Sequence, residues 1–180
     1  MPTLAYDIRP EMPEDDAAIE ALHADAFGPG RFARTAFRIR EGVPHDPRLS
    51  FVAELDGELL GAVRLTPIRI GVTPAQLLGP LAVVPTHKGV GIGRALMRRT
   101  LEEGARLGEG LVLLVGDLPY YGPFGFNRVP QGRILLPGPV DPARLLIAEL
   151  AEGAMDTAHG MVHGGRTRAE LVAGTVGASS

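Results

Sequence analysis

Apolar positions along the chain follow two periods, and the change of period divides it. Near the start, Ile19, Leu22, Ala26 and Phe27 recur at helical spacing within "PEDDAAIEALHADAFG", which predicts a helix over residues 13–28. Pro13 suits a first-turn position, Glu14, Asp15 and Asp16 complement the positive end of the dipole, and Gly28 supplies an end. "RFARTAFRIREG" predicts a second helix with Phe32, Ala36 and Ile39 on its inner face. Ahead of both, "LAYDIRP" alternates enough for a short strand.

The period then shortens to two. "LSFVAELDGELLGAVRLTPIRI" holds two strand-like runs around Asp56-Gly57, a strong hairpin signal. "AQLLGPLAVVP" predicts a third strand. "GIGRALMRRTLEEGARLG" returns to helical spacing, with Ile92, Ala95 and Leu96 inward, Arg98, Arg99, Glu102 and Glu103 outward, and Gly108 at the end. Leu111 to Val115 is continuously apolar, as in a strand covered on both faces. Short strands are expected around Arg133–Leu136 and Leu145–Leu150. The second of these conflicts with local signals, because "VDPARLLIAELAEG" has Asp141 as a cap and Pro142 at a first turn, which favour a helix. Periodicity does not settle so short an apolar run. The order of elements predicts a mixed α/β, or α+β, sheet protein.

Composition narrows the function classes. A length of 180 residues suits one domain, expected here over residues 1–155, with 156–180 as a partly flexible extension ending in "VAGTVGASS". A net charge of −3 argues against nucleic-acid binding through overall basicity. The absence of cysteine excludes a disulfide scaffold, a cysteine zinc site and a thiol nucleophile. No apolar run reaches the length of a membrane span, and "MPTLAYDIRPEMPEDD" lacks the pattern of a signal peptide, so a cytoplasmic protein is expected.

The chemistry concentrates in "HKGVGIGRALMRR". Gly89, Gly91 and Gly93 alternate between Lys88 and Arg94, after a strand and before a helix. The first amides of a helix lack intrahelical acceptors, and the dipole adds positive potential, so residues 89–94 form a candidate anion site. The plainer alternative is a tight strand–helix turn without a ligand. A Walker A loop fails, because Arg94 and Ala95 follow Gly93 where Lys and Ser/Thr are needed. The dinucleotide pattern fails too, for Leu96 or Arg94 stands where its last glycine belongs.

"LAVVPTHKGVGIGRALM" resembles the signature of the GNAT superfamily of acetyltransferases, a V-x-P-like turn leading to [Q/R]-x-x-G-x-[G/A]. Lys88, Gly89, Val90, Gly91, Ile92 and Gly93 fill that loop, with Lys88 in place of the usual Gln or Arg. "YYGPFGF", Tyr120 to Phe126, is similar to the family's later F-Y-x-x-x-G-F segment, in which a tyrosine lies near the acetyl thioester. The resemblance spans roughly residues 5–150, and the second segment looks like that of a bacterial subgroup. It implies a mixed, splayed central sheet flanked by helices, with acetyl-CoA as co-substrate in the split. The pantetheine arm is then expected on the backbone of Leu81, Ala82 and Val83, the phosphates on residues 88–94, and a strand at Leu145–Leu150. The implied activity is direct acetyl transfer to an amine acceptor through a ternary complex, with no metal, nucleic acid or membrane.

Such a transfer needs a neutral amine, a stabilised oxyanion, a tolerated thiolate and close positioning. No covalent intermediate is required, which suits a chain without cysteine. By its distance from Gly125-Phe126, Tyr121 takes the family tyrosine's place as general acid, with Tyr120 as the neighbour able to replace it. No acid or histidine lies between Leu77 and Val84, so the base stays open among Glu54, Asp117 and water. His87 reads as a solvated loop residue. His159 and His163 have helical metal spacing, but Gly160 and Gly164 oppose a helix and no third ligand is evident. The Arg-rich "RFARTAFRIR" reads as a solvated face or as a contact for an acidic substrate. A CoA-binding sensor or partner module without turnover, and a phosphate-binding structural domain, stay open as alternatives. The sequence leaves open the acceptor, the use of other acyl groups and the oligomeric state.

Overall fold

A computed structural model describes residues 5–165. Strand β1 (Asp7–Pro10) is followed by α1 (Asp16–Phe27), α2 (Thr35–Arg40), β2 (Phe51–Leu55), β3 (Glu58–Ile70) and β4 (Thr73–Val83). Then come α3 (Ile92–Arg106), β5 (Leu111–Val115), α4 (Leu118–Tyr121), β6 (Asn127–Arg128), β7 (Ile134–Leu135), β8 (Leu145–Glu149) and β9 (Gly160–Gly164). The β2–β3 hairpin turns at Asp56-Gly57, where both residues have positive φ, 50° and 83°, the requirement of the turn that matches strand twist.

The strands lie in the order β1-β2-β3-β4-β5-β8-β6. Neighbours pair antiparallel except β4 and β5, which are parallel. That parallel pairing is confined to Gln76 with Val112 and Leu77 with Leu113. Beyond it β4 runs on to Val83 beside β3, while β5 runs on to Val115 beside β8. The sheet is thereby split in two at its centre. Just past the split, Val63 pairs with Leu81 and Leu65 with Leu78, so Gly79 and Pro80 together face Arg64 alone. This is a bulge, a device that bends a strand and strengthens its twist.

Helix α3 buries Ile92, Leu96, Met97, Thr100 and Leu101 on a core that includes Phe51, Leu65 and Phe126. Full burial of one such side chain contributes about 1.5–3 kcal/mol. Thr100 donates its hydroxyl to the Leu49 carbonyl at 2.7 Å, so its polar atom costs the core little. Helix α1 covers Val52, Ala62 and Ala82 through Ile19 and Leu22. On the opposite face Ile39 joins Ile68, Leu77 and Leu113.

Several expectations shift. Pro13 opens a 3-10 turn and the α-helix begins at Asp16. The inner face of α1 is Ile19, Leu22 and His23, whereas Ala26 is exposed. Phe32 lies in a 3-10 turn (Pro29–Ala33) ahead of α2 and is 62% exposed, so it is not part of the core face. In "VDPARLLIAELAEG" the local signals prevail for one turn only. Asp141 accepts from the Ala143 amide at 2.9 Å, a 3-10 turn spans Pro142–Arg144, and the chain then extends as β8 across all five residues of β5. Pairing on a buried strand outweighs local helix propensity. The sheet also continues past residue 155. Strand β9 takes the edge of β3 that β2 leaves free, pairing Val162, His163 and Gly164 with Ile70, Arg69 and Ile68, and Ala158 and Val162 are buried. Residues 166–180 of the expected extension lie outside the described residues. Among the described residues no helix is long and apolar enough to cross a membrane.

Candidate functional site

The split leaves the β5-facing edge of β4 without a strand partner from Leu78 onward. Leu81, Ala82 and Val83 carry that edge into a cavity of about 540 Å³. The far wall is the glycine loop and the start of α3: Lys88, Gly89, Gly91, Ile92, Gly93 and Arg94. Val90 stands 55% exposed at the loop's tip and does not line the cavity. The first hydrogen bond of α3 runs from the Ala95 amide to the Gly91 carbonyl. The amides of residues 92–94 thus have no intrahelical acceptor, and their dipoles give this wall positive potential.

The three glycines answer two different demands. Gly89 and Gly91 have φ of 82° and 93°, and a Cβ on either would meet nothing within 4 Å. Their backbone needs glycine, and the space beside them is open for a ligand. Gly93 is helical, but a Cβ there would lie 2.8 Å from the Tyr120 hydroxyl. It is a packing glycine that lets Tyr120 reach the start of α3.

Tyr120 and Tyr121 close α4, which follows β5 on the other side of the split. Their rings meet edge to face at 4.8 Å, and Tyr121 also packs on Phe126 at 6.0 Å. A Cβ on Gly116 would run into the Tyr121 ring, so that glycine fixes how deeply the ring sits. Burial first, then Tyr120 and Asp117, push the Tyr121 phenol up to about 12, against the pull of Arg144. Tyr120 is also raised by burial, and Arg94 opposes that shift. Both phenols keep their protons at neutral pH.

A second cavity, of about 850 Å³, also reaches the tyrosines. Phe27, Leu81, Tyr120 and Tyr121 line both cavities. The second is bounded by Arg34 just ahead of α2, by α2 through Phe37 and Arg40, by the bulge at Gly79 and Pro80, and by Gly116, Asp117 and Arg144. Asp117 accepts from Arg144 Nε at 3.1 Å.

The two expected bases separate. Asp117 borders the second cavity, whereas Glu54 sits on the β1–β2 edge, held by Arg9 at 2.6 Å, and borders none of these cavities. His87 is half-buried and lines the first cavity, with Nδ1 2.9 Å from the Thr86 hydroxyl. His163 lies on strand β9 with His159 just ahead of it, and among the described residues no cluster of three or more His, Cys, Asp or Glu is arranged to hold a metal. Phe27 and Gly116 were not anticipated at the site, and Arg40 was covered only by the reading of "RFARTAFRIR" as a solvated face or a contact for an acidic substrate. Arg40 in particular has the sequence appearance of any arginine on a solvated helix face.

Residues 7–129 match the family model described as the acetyltransferase (GNAT) domain, a span that includes both the glycine loop and "YYGPFGF". The uncharacterized N-acetyltransferase YhbS of Escherichia coli K12 is 28% identical over 158 residues, covering 86% of this chain and 93% of that protein. The crystal structure of E. coli YhbS in complex with CoA superposes with a TM-score of 0.76, covering 92% of each chain. A GNAT family acetyltransferase from Brucella melitensis, solved in complex with acetyl-CoA, is 32% identical, with a TM-score of 0.56, covering 84% of this chain and 99% of that one.

Proposed function

Since the chain belongs to the GNAT acetyltransferase family, we propose that it moves an acetyl group from acetyl-CoA directly to an amine held in the second cavity. The observation that carries this reading is that two cavities at the split in the sheet share the same pair of tyrosines as lining, one bounded by the glycine loop and the other by α2. Two reactants can thus occupy the protein together, and proximity alone is worth a large share of such a barrier.

The first cavity fits acetyl-CoA. Residues 88–94 offer free helix amides, two glycines with open space beside them, and the cations Lys88 and Arg94, a set suited to a pyrophosphate. The open edge at Leu81, Ala82 and Val83 offers backbone groups to an extended amide chain such as pantetheine. Once bound, acetyl-CoA supplies an activated acetyl thioester.

Tyr121 reaches the meeting point of the cavities as a protonated phenol. With its pKa near 12 and a simple thiol near about 8.5, it stabilises the departing sulfur by donating a hydrogen bond and does not hand the proton over fully. For the same reason it is no base. Asp117, on the acceptor side, is placed to draw the proton from the attacking amine through water. Arg144 orients that carboxylate. The functional unit is taken to extend through Gly164, because β9 completes the edge of β3. The reaction is assigned to the cytoplasm.

Thermal melting with CoA, together with release of free thiol from acetyl-CoA across a panel of amines, tests the proposal. A ligand at about 100 times its dissociation constant adds about 2.7 kcal/mol of stability. No shift with CoA overturns the reading. A shift without thiol release on any amine makes the chain a CoA-binding module.

A further inference from the structure

Arg40 is the last residue of α2, and its guanidinium reaches the bulge on β4. It stacks over Phe37 at 4.9 Å, and a Cβ on Gly79 would lie 2.7 Å from its Nη2. Its Nε and Nη1 are buried without any hydrogen-bond partner. Burial, and then the positive Arg64, lower its pKa to about 10, which leaves it a cation at neutral pH. A buried cation without a counter-charge is costly to the fold.

The neighbouring carboxylates are engaged elsewhere. Glu11 and Glu20 accept from Arg64, Asp117 from Arg144, and Asp141 from the Ala143 amide. Glu41, next in the chain and bordering the same region, makes no hydrogen bond to it. The contrast with Arg64 is informative. That residue, also drawn inward, has Glu11, Asp16 and Glu20 around it. The chain thus surrounds one inward arginine with acids and leaves the other in the wall of the second cavity, its Nε and Nη1 closed off from solvent, so that a ligand there reaches them once the side chain turns.

We infer that Arg40 anchors a carboxylate of the acceptor, so that the substrate is an amino acid or another amine bearing a carboxylate. This rests on the acetyl-transfer reading and names its acceptor class. A guanidinium fork matches a carboxylate and holds it in a fixed plane. The cavity is also polarised. Arg34 and Arg40 stand on the α2 side, while Asp117 and Asp141 stand on the β5 and β8 side together with Arg144, which is paired to Asp117. A zwitterion complements both sides, its carboxylate toward the arginines of the α2 side and its amine toward Asp117 and Asp141.

The test uses the full chain with acetyl-CoA and follows thiol release with free amino acids, the matching amino-acid amides, and an aminoalkyl phosphate. Each acid–amide pair exchanges the carboxylate for a neutral group, and rates are compared per neutral amine because the amide's α-amine is the less basic. Expected is a preference in kcat/KM of about 10²-fold for acids over amides, the order seen when a buried charge pair loses one member. Arg40→Met should abolish this preference, mainly through KM, and Arg40→Lys should restore part of it. Both variants should keep the CoA-induced melting shift, and Arg40→Met should melt no lower than the parent, since it removes an unpaired charge. Equal rates with acids and amides, preference for the phosphate, survival of the preference in Arg40→Met, or failure of that variant to fold would each overturn the inference while leaving acetyl transfer intact. Absence of thiol release with every amine would remove the acetyl-transfer reading and this inference with it.

Discussion

Gly91→Val separates the two reasons a glycine can stand at the start of α3. At φ of 93°, with nothing within 4 Å of an added Cβ, the substitution meets no protein atom. Its cost to the free protein is the backbone cost of a left-handed residue, about 1–2 kcal/mol. For a domain of this size that is about 2–8 °C in melting temperature. The ligand side differs, because the open space beside Gly91 is where a pyrophosphate must approach. The parent should gain about 5–11 °C from saturating CoA, from about 2.7 kcal/mol at 100 times the dissociation constant, and the variant should gain almost nothing. Gly108→Val is the control. That residue follows the other end of α3, with φ of 84° and equally open surroundings, but it is remote from the cavity. It should lose similar stability and keep the full CoA shift. If Gly91→Val keeps the CoA shift, the loop does not hold the phosphates.

Tyr121→Phe should keep the fold and the CoA shift while turnover falls by about 10²-fold, the lower range for losing a hydrogen-bond donor to developing charge; if Tyr120→Phe proves the slow variant instead, the roles of the two tyrosines exchange. Gly93→Ala should push the Tyr120 hydroxyl off the start of α3, and Tyr120→Phe should relieve that strain. A double-mutant cycle on stability is expected to show coupling of about 0.5–3 kcal/mol, and strict additivity would refute the contact. His23, buried with its Nε2 unpartnered, is lowered to about 4 by burial and then by Arg64, Arg40 and Arg31. As pH falls below 6.5 the unfolded chain takes up a proton that the folded site refuses until about pH 4. Stability should therefore drop over that window by about 3 kcal/mol. Denaturant melts at pH 7 and pH 4 should show His23→Leu lacking this part of the loss.

The sequence revealed most of the frame. Asp56-Gly57, the apolar run at Leu111–Val115 and the amphipathic stripe of α3 are local signals, and each element formed where its signal stood. The glycine loop was legible for the same reason, since positive φ and free helix amides are properties of a few consecutive residues. Features set by distant partners were not legible. Strand β8 overrode the helix signal at Asp141-Pro142 because β5 needed a neighbour, and β9 formed because β3 outruns β2. The division of labour among the glycines was equally hidden. Gly93 serves Tyr120, and Gly116 serves Tyr121, through contacts that spacing along the chain does not encode. Arg40 was the least visible, because its significance lies in the counter-charge it lacks.

The unpaired edge of β4 has a consequence for how the protein breathes. Within a strand, successive backbone groups point to opposite edges, so once regular pairing resumes at Leu81, past the bulge at Gly79 and Pro80, every second amide is bonded to β3 while those between face the cleft. Hydrogen exchange along this stretch should therefore run as a comb, slow and fast amides alternating in the middle of a sheet where uniform protection is the rule. Pantetheine laid along the edge would fill the gaps in the comb, slowing the cleft-facing amides and leaving the others unchanged. The co-substrate would then serve, for as long as it stays bound, as the strand that the split sheet is missing.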